Sequence, residues 1–462
     1  MSAGPLGNGR TTLHPVRRRR ENRGPEDVQS ERVLKARSAR AGRFARRRQL
    51  RKITSIRRVR NCGLPLSSES GPIVGVVTNA DGTRTAGFGG LATCGSVWAC
   101  PQCAAKVATR RADELATVMH TVDELGGSAF MWTGTMRHSA GDRLGLSRDH
   151  RRRIGVLEER LAYVHVAEAN GWDVDERQAE ADAIELDTLR GRRGCWDVLG
   201  DAWAKVTSGA AWSKDQDACG GLLGWARVVE TTDGTHGWHV HVHALLCFAD
   251  DVSADLVAAG IGARMFSRWQ GELLRQGFDA SEEHGWDLRK VQLGDGDLAN
   301  YFTKIAHEVT GSHRKEGRHA GGRSPMEVLA DAVDTYEEGK LARWWEWEAA
   351  SEGRRQLTWS TGRRSLRQLA GLGTEATDDE IAHEDLHADR RVGLPCDTWS
   401  WIMAGHHESD VLDVTEAGGL DGLRVWLRRH GLGSTEAASA PPCSGRSRAR
   451  HGWREDARSL LL

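Results

Sequence analysis

The sequence predicts an α+β protein built on a largely antiparallel sheet. Three observations carry this. First, GGLLGWARVVETTDGTHGWHVHVHALLCF (220–248) is two strand-like runs joined by a turn rich in Gly and Asp, the pattern of a hairpin. Second, GSAFMWTGTMRH (127–138) is β-rich and WDLRKVQL (286–293) alternates polar and apolar residues, so two more strands are expected. Third, helical patterns separate these runs. VSADLVAAGIGARMFSRWQGELLRQGF (252–278) opens on a capping Ser, and DLANYFTKIAHEVTG (297–311) runs from Asp297 to Gly311.

Taken in order, residues 1–61 are expected to form a basic arm, disordered or transiently helical. Residues 62–119 form a cysteine-rich module that leads into the helical pattern AAKVATRRADELATVMHTVDEL. Residues 120–312 hold the sheet, interrupted by a long charged helical insert from about 146 to 207. Residues 313–372 read as a helical accessory region rich in tryptophan (Trp344, Trp345, Trp347, Trp359). Residues 373–462 are acidic at first and end in a low-complexity tail expected to be disordered.

The chain has 64 basic and 64 acidic residues, so net charge is uninformative, but its distribution is not. Residues 1–60 hold 19 Lys and Arg against four acids, a net charge of +15. Such an arm is either a solvated tail or a handle for phosphate, and coding bias toward arginine explains the composition equally well. No run approaches the roughly 18 apolar residues of a membrane span, and no apolar signal core opens the chain. A cytoplasmic protein with no membrane partner is therefore expected, its nine cysteines reduced or metal-bound.

Three histidines, His239, His241 and His243, alternate along one strand and so share a face. An exposed polar face is one reading; a metal site is the other. Glu230 ends the partner strand of the same hairpin and supplies a carboxylate within reach. Two imidazoles and a carboxylate with open positions suit a catalytic Mn2+ or Mg2+ rather than a closed zinc site. Of the chain's three tyrosines, Tyr336 lies among acids that would repel phosphate and Tyr163 lies in the charged insert. On a helix, Tyr301 shares a face with Asp297 one turn back and Lys304 one turn on. Packing of a buried tyrosine is the competing explanation. Cys100 and Cys103 form a Cys-x-x-Cys knuckle that, with Cys94 and the more distant Cys62, fits a structural Zn2+ site; reduced buried thiols are the alternative.

FMWTGTMRH, HVHALL and YFTK, in that order, resemble the three motifs of HUH endonucleases. With CGSVWACPQCAAKVATRR, GWARVVETTDGTHGWHVHVHALL, YFTKIAHEVTG and GRRQLTWSTG, the chain resembles actinobacterial rolling-circle plasmid replication initiators over most of residues 62–372. The resemblance implies an HUH-type sheet flanked by helices across 120–312. It assigns the metal pair to His241 and His243, leaving His239 to the outer shell or to DNA, with Glu230 as a third ligand. It implies that Tyr301 attacks a scissile phosphate of single-stranded origin DNA and forms a covalent 5′-phosphotyrosine, with Lys304 adding positive charge. Asp297 stands where a related branch has a glutamate that activates water for termination. The expected partners are plasmid origin DNA, a host helicase and a DNA polymerase, with the zinc module and the basic arm assisting duplex binding. The tyrosine follows the histidine motif, which favours an initiator over a relaxase. A single-tyrosine transposase or relaxase, and a non-catalytic zinc-containing DNA-binding regulator, remain the alternatives.

Overall fold

The computed structural model describes residues 25–66, 72–217, 221–292, 322–384, 388 and 390–436. Helices and two antiparallel sheets make up these residues. The strands are β1 (Ile73–Thr78), β2 (Arg84–Gly89), β3 (Ser128–Thr135), β4 (Leu222–Gly234), β5 (Gly237–Phe248), β6 (Trp286–Val291), β7 (Leu357–Trp359), β8 (Arg390–Gly393) and β9 (Thr435–Glu436). The larger sheet has the order β6-β3-β5-β4-β7 and the smaller β2-β1-β8-β9. No described helix is long and apolar enough to cross a membrane.

The expected hairpin forms, with Thr235 and His236 as its turn and Gly234 paired with Gly237. Gly237 has φ +87°, and a Cβ there would run into the Ser139 carbonyl, so only glycine fits. β5 explains its own sequence. Trp238, Val240, Val242, Ala244 and Leu246 face a large core with Trp132 of β3 and the helices Cys195–Val206, Ala263–Arg275 and Glu338–Ser351. On the other face, Leu245 and Cys247 meet Leu115, Val118, Met119 and Val122 of the helix Pro101–Glu124. That helix covers only one half of the second face. The strand is therefore apolar on both faces from Ala244 onward and alternates with histidine before it.

The helix expected across 252–278 is broken. A short segment, Ala254–Val257, is capped by Ser253, and the chain then kinks at Gly260 before Ala263–Arg275 begins. A Cβ on Gly262 would press on the Trp286 ring at 3.0 Å, so the kink lets the helix approach β6 closely. The insert forms the helices Arg148–Ala169 and Glu176–Arg190, joined by a small cluster of Leu157, Leu186 and Leu189.

The expected boundaries do not separate independent units. Trp98 of the cysteine module, Trp196 of the insert, Trp238 of the hairpin and Trp347 of the accessory region pile into one ring cluster, with centroids 4.9–5.7 Å apart. The accessory region also supplies β7, which closes the β4 edge of the main sheet. Residues from both ends of the chain build the smaller sheet, since β1 pairs with β8. Its core joins Val74 and Val76 to Val392, Leu394, Trp399, Ile402 and Leu423, so the described residues from 390 through Glu436 are folded rather than merely acidic.

The arm is also different from expectation over residues 25–61. Pro25–Ile53 is a 29-residue helix. Its Arg40 pairs with Asp413 and Glu416, and its Arg47 and Arg48 with Glu408, all on the helix Glu408–Arg429. Glu408 is fully buried. A buried carboxylate needs such partners, so the acids near the C-terminus neutralise arginines of the arm.

Candidate functional site

The register of the hairpin places Glu230 opposite His241, Val228 opposite His243 and Thr232 opposite His239. Paired residues lie on the same face of a sheet. Among the described residues, the helix Pro101–Glu124 packs on the Val228, Leu245 and Cys247 end of that face. Glu230 Oε2 lies 3.1 Å from His241 Nε2 and 3.0 Å from His243 Nε2, so three donor atoms converge on one point. The side chains of His241, His243 and Glu230 are 13 %, 9 % and 18 % exposed, a site that is shielded but not closed.

Burial alone would raise the Glu230 carboxyl, but hydrogen bonding to both imidazoles overrides it and holds the group well below the usual range. Burial also lowers His243, against the pull of Glu230, and so favours the neutral imidazole that a metal requires. His243 Nδ1 lies 3.0 Å from Thr133 Oγ1, across the β3–β5 pair. An ion taking the place of the Nε2 contact with Glu230 would let Nδ1–H donate to that hydroxyl and leave the Nε2 lone pair to the metal, the usual role of a ligand's outer partner. The donor set therefore fits a divalent cation that would be held by two nitrogens and one oxygen.

His239 is on the same face but outside this group. Its ring packs, tilted, beside His138 at 5.0 Å and His241 at 4.9 Å. Burial, with help from the neighbouring His241 and His138, pushes it down to about 4. As a metal ligand it is not brought into place. Thr133 and His138 escaped the reading of individual residues, although both lie in FMWTGTMRH; the pairing of that strand with β5 is what marks them.

Cys62, Cys94, Cys100 and Cys103 come together as a second group, all buried. Cys195 and Cys247 are buried free thiols elsewhere, each pushed up to about 12, by burial foremost. Tyr301, Lys304 and Asp297 lie outside the described residues. The described chain stops at Gln292, just past β6, and resumes at Gly322, where an added Cβ would lie 3.5 Å from Thr232. Of the other two tyrosines, Tyr163 sits exposed on the insert helix Arg148–Ala169, and Tyr336 ends the helix Pro325–Thr335 in a left-handed conformation.

The chain is 26 % identical over 409 residues to "Protein rep" of Streptomyces lividans, which covers 76 % of this chain and 80 % of that one. It is 28 % identical over 274 residues to "Neomycin resistance protein" of Streptomyces cyanogenus, covering 57 % of this chain and 52 % of that one. No family model matches, and no solved structure matches. The first relative bears out the likeness to an actinobacterial Rep read from the motifs.

Proposed function

We propose that this chain is a plasmid replication initiator with an HUH-type nicking domain, which cuts and rejoins one strand at a double-strand origin. The observation that carries the reading is the convergence of His241 Nε2 and His243 Nε2 on Glu230 Oε2. Likeness to a protein named Rep over three quarters of the chain supports the same reading.

In this reading the sheet face seats the scissile phosphate of single-stranded origin DNA. A Mn2+ or Mg2+ held by His241, His243 and Glu230 would supply positive charge at the phosphate's non-bridging oxygens. Thr133 holds His243 in the tautomer that presents Nε2. Tyr301 attacks phosphorus through its phenolate oxygen as the P–O3′ bond breaks. The leaving oxygen takes a proton to become the 3′-hydroxyl, and the 5′ end stays on the enzyme as a phosphotyrosine. Lys304 offsets negative charge on the phosphate or the phenolate, and Asp297 accepts the proton of water when the round ends. The 3′-hydroxyl then serves a host polymerase, with a host helicase opening the duplex ahead of it.

The test incubates the protein with Mn2+ or Mg2+ and a single-stranded origin oligonucleotide, and compares wild type with Tyr301→Phe. Wild type is expected to give a covalent protein–DNA adduct and the variant none. An adduct that persists in Tyr301→Phe sinks the nucleophile assignment. No adduct from either protein leaves a DNA-binding regulator as the better account.

A further inference from the structure

The nicking reaction makes no use of the four-cysteine group, yet its geometry is that of a binding site. The Sγ atoms all lie within 4.8 Å of one another. Cys62 is 3.7 Å from Cys103 and 3.6 Å from Cys100, and Cys94 is 3.7 Å from Cys103. A zinc ion bound by four thiolates at about 2.3 Å has sulfur–sulfur edges of about 3.8 Å. The separations are those of the edges of such a tetrahedron. A multi-iron cluster would need its sulfurs spread around several metal atoms.

The surroundings give a second, independent observation. Four thiolates on a divalent ion carry a net charge of about −2, and burying that charge requires compensation. Arg47 is only 4 % exposed, and its Nε and Nη2 have no hydrogen-bond partner among the described residues. Its guanidinium lies against Gly63, directly after Cys62; a Cβ there would overlap it. Its nearest anion, Glu408, is 3.7 Å away and is already paired with Arg48. Arg51 donates to the Cys62 carbonyl from the same side. Cys100 is the N-cap of Pro101–Glu124, whose free N–H groups add positive potential, and Cys103 lies in its first turn. Besides Glu408, which it shares with Arg48, and the Phe44 ring 5.0 Å from it, Arg47 would gain a second buried anion from four thiolates.

We propose that Cys62, Cys94, Cys100 and Cys103 hold one structural zinc ion, and that this knot fixes the helix bordering the nicking face. The three segments it ties are the turn after the short helix Arg57–Asn61, the loop after β2 and the start of Pro101–Glu124. The far half of that helix packs on Val228 and Leu245, and these flank His243 through the hairpin register and along the strand. The zinc assignment stands apart from the nicking reading, because its test needs no DNA.

The experiment measures metal content of the full chain, purified under reducing conditions without chelator, and then substitutes cobalt. Expected are one zinc per chain and, with Co2+, the strong near-ultraviolet charge-transfer and visible bands of a tetrahedral thiolate site. Cys103→Ser is expected to lose the zinc, while His243→Ala and Cys195→Ser keep it. If Cys103→Ser fails to fold, the wild-type zinc content and cobalt spectrum still decide the matter. Wild type with far less than one zinc and no thiolate bands overturns the proposal. So does an iron–sulfur chromophore, or zinc that leaves with His243→Ala.

Discussion

The two ligand groups border the same helix, Pro101–Glu124, and differ in every property that decides what an ion can do. The cysteine group has four sulfurs, each no more than 4 % exposed, drawn from three segments and closed on all sides. The histidine group has two nitrogens and one oxygen, comes from a single hairpin, and keeps 9–18 % of its side-chain surface exposed among the described residues. Four soft ligands in a closed shell hold structure together, whereas three harder ligands with vacant positions admit a substrate oxygen. One group should therefore govern whether the chain folds, and the other only whether it reacts.

Removing zinc is the harshest test of that division. Apparent binding energies of structural zinc run to about 10 kcal/mol or more, comparable with the whole stability of a domain. Displacing the metal with a thiol-reactive agent, or substituting Cys103→Ser, is expected to abolish the cooperative melting transition. A transition displaced by less than about 5 °C would show that the cysteines contribute little.

The open site should behave in the opposite way. His243→Ala is expected to lower metal-dependent nicking by more than about 100-fold, since losing a ligand should exceed losing its outer partner, while the melting transition stays cooperative. Mild EDTA dialysis of wild type should do the same and be reversed by Mn2+. Nicking that survives His243→Ala would end the comparison.

Finer substitutions rank the surroundings of the open site. Thr133→Val removes the hydrogen bond to Nδ1 and keeps the shape, so Mn2+ affinity is expected to fall about 10- to 100-fold. An unchanged calorimetric titration would remove Thr133 from the site. His239→Gln is expected to shift Mn2+ affinity by less than about threefold, below the effect of an outer partner. A loss matching that of His243→Ala would restore His239 as a ligand.

Four strands of the main sheet were legible because they carry a local strand pattern, β5 with His239, His241 and His243 on one side and Val240 and Val242 on the other; the three-residue β7, inside a region that reads as helical, was not. Glu230 was legible as part of the hairpin, but the turn reads too long: TTDGTHG has the composition of a turn, whereas β4 continues past Glu230 to Gly234 and Thr235–His236 alone set the register. The smaller sheet was not legible. β8 has four residues and β9 two, and β8 pairs with a strand some 300 positions away. The order of Pro25–Ile53 was hidden for a similar reason. Most of its arginines look solvated in sequence, and what holds Arg40 is Glu416, 376 positions on. Local pattern reports local partners, and here the partners were distant.

The pairing of Arg40 with Glu416 has a consequence for synthesis. At about 5–20 residues per second, the ribosome reaches Glu416 roughly 20–75 s after it makes Arg40. For that interval the arginine segment lacks the carboxylates that will receive it. It is thus made first and seated last.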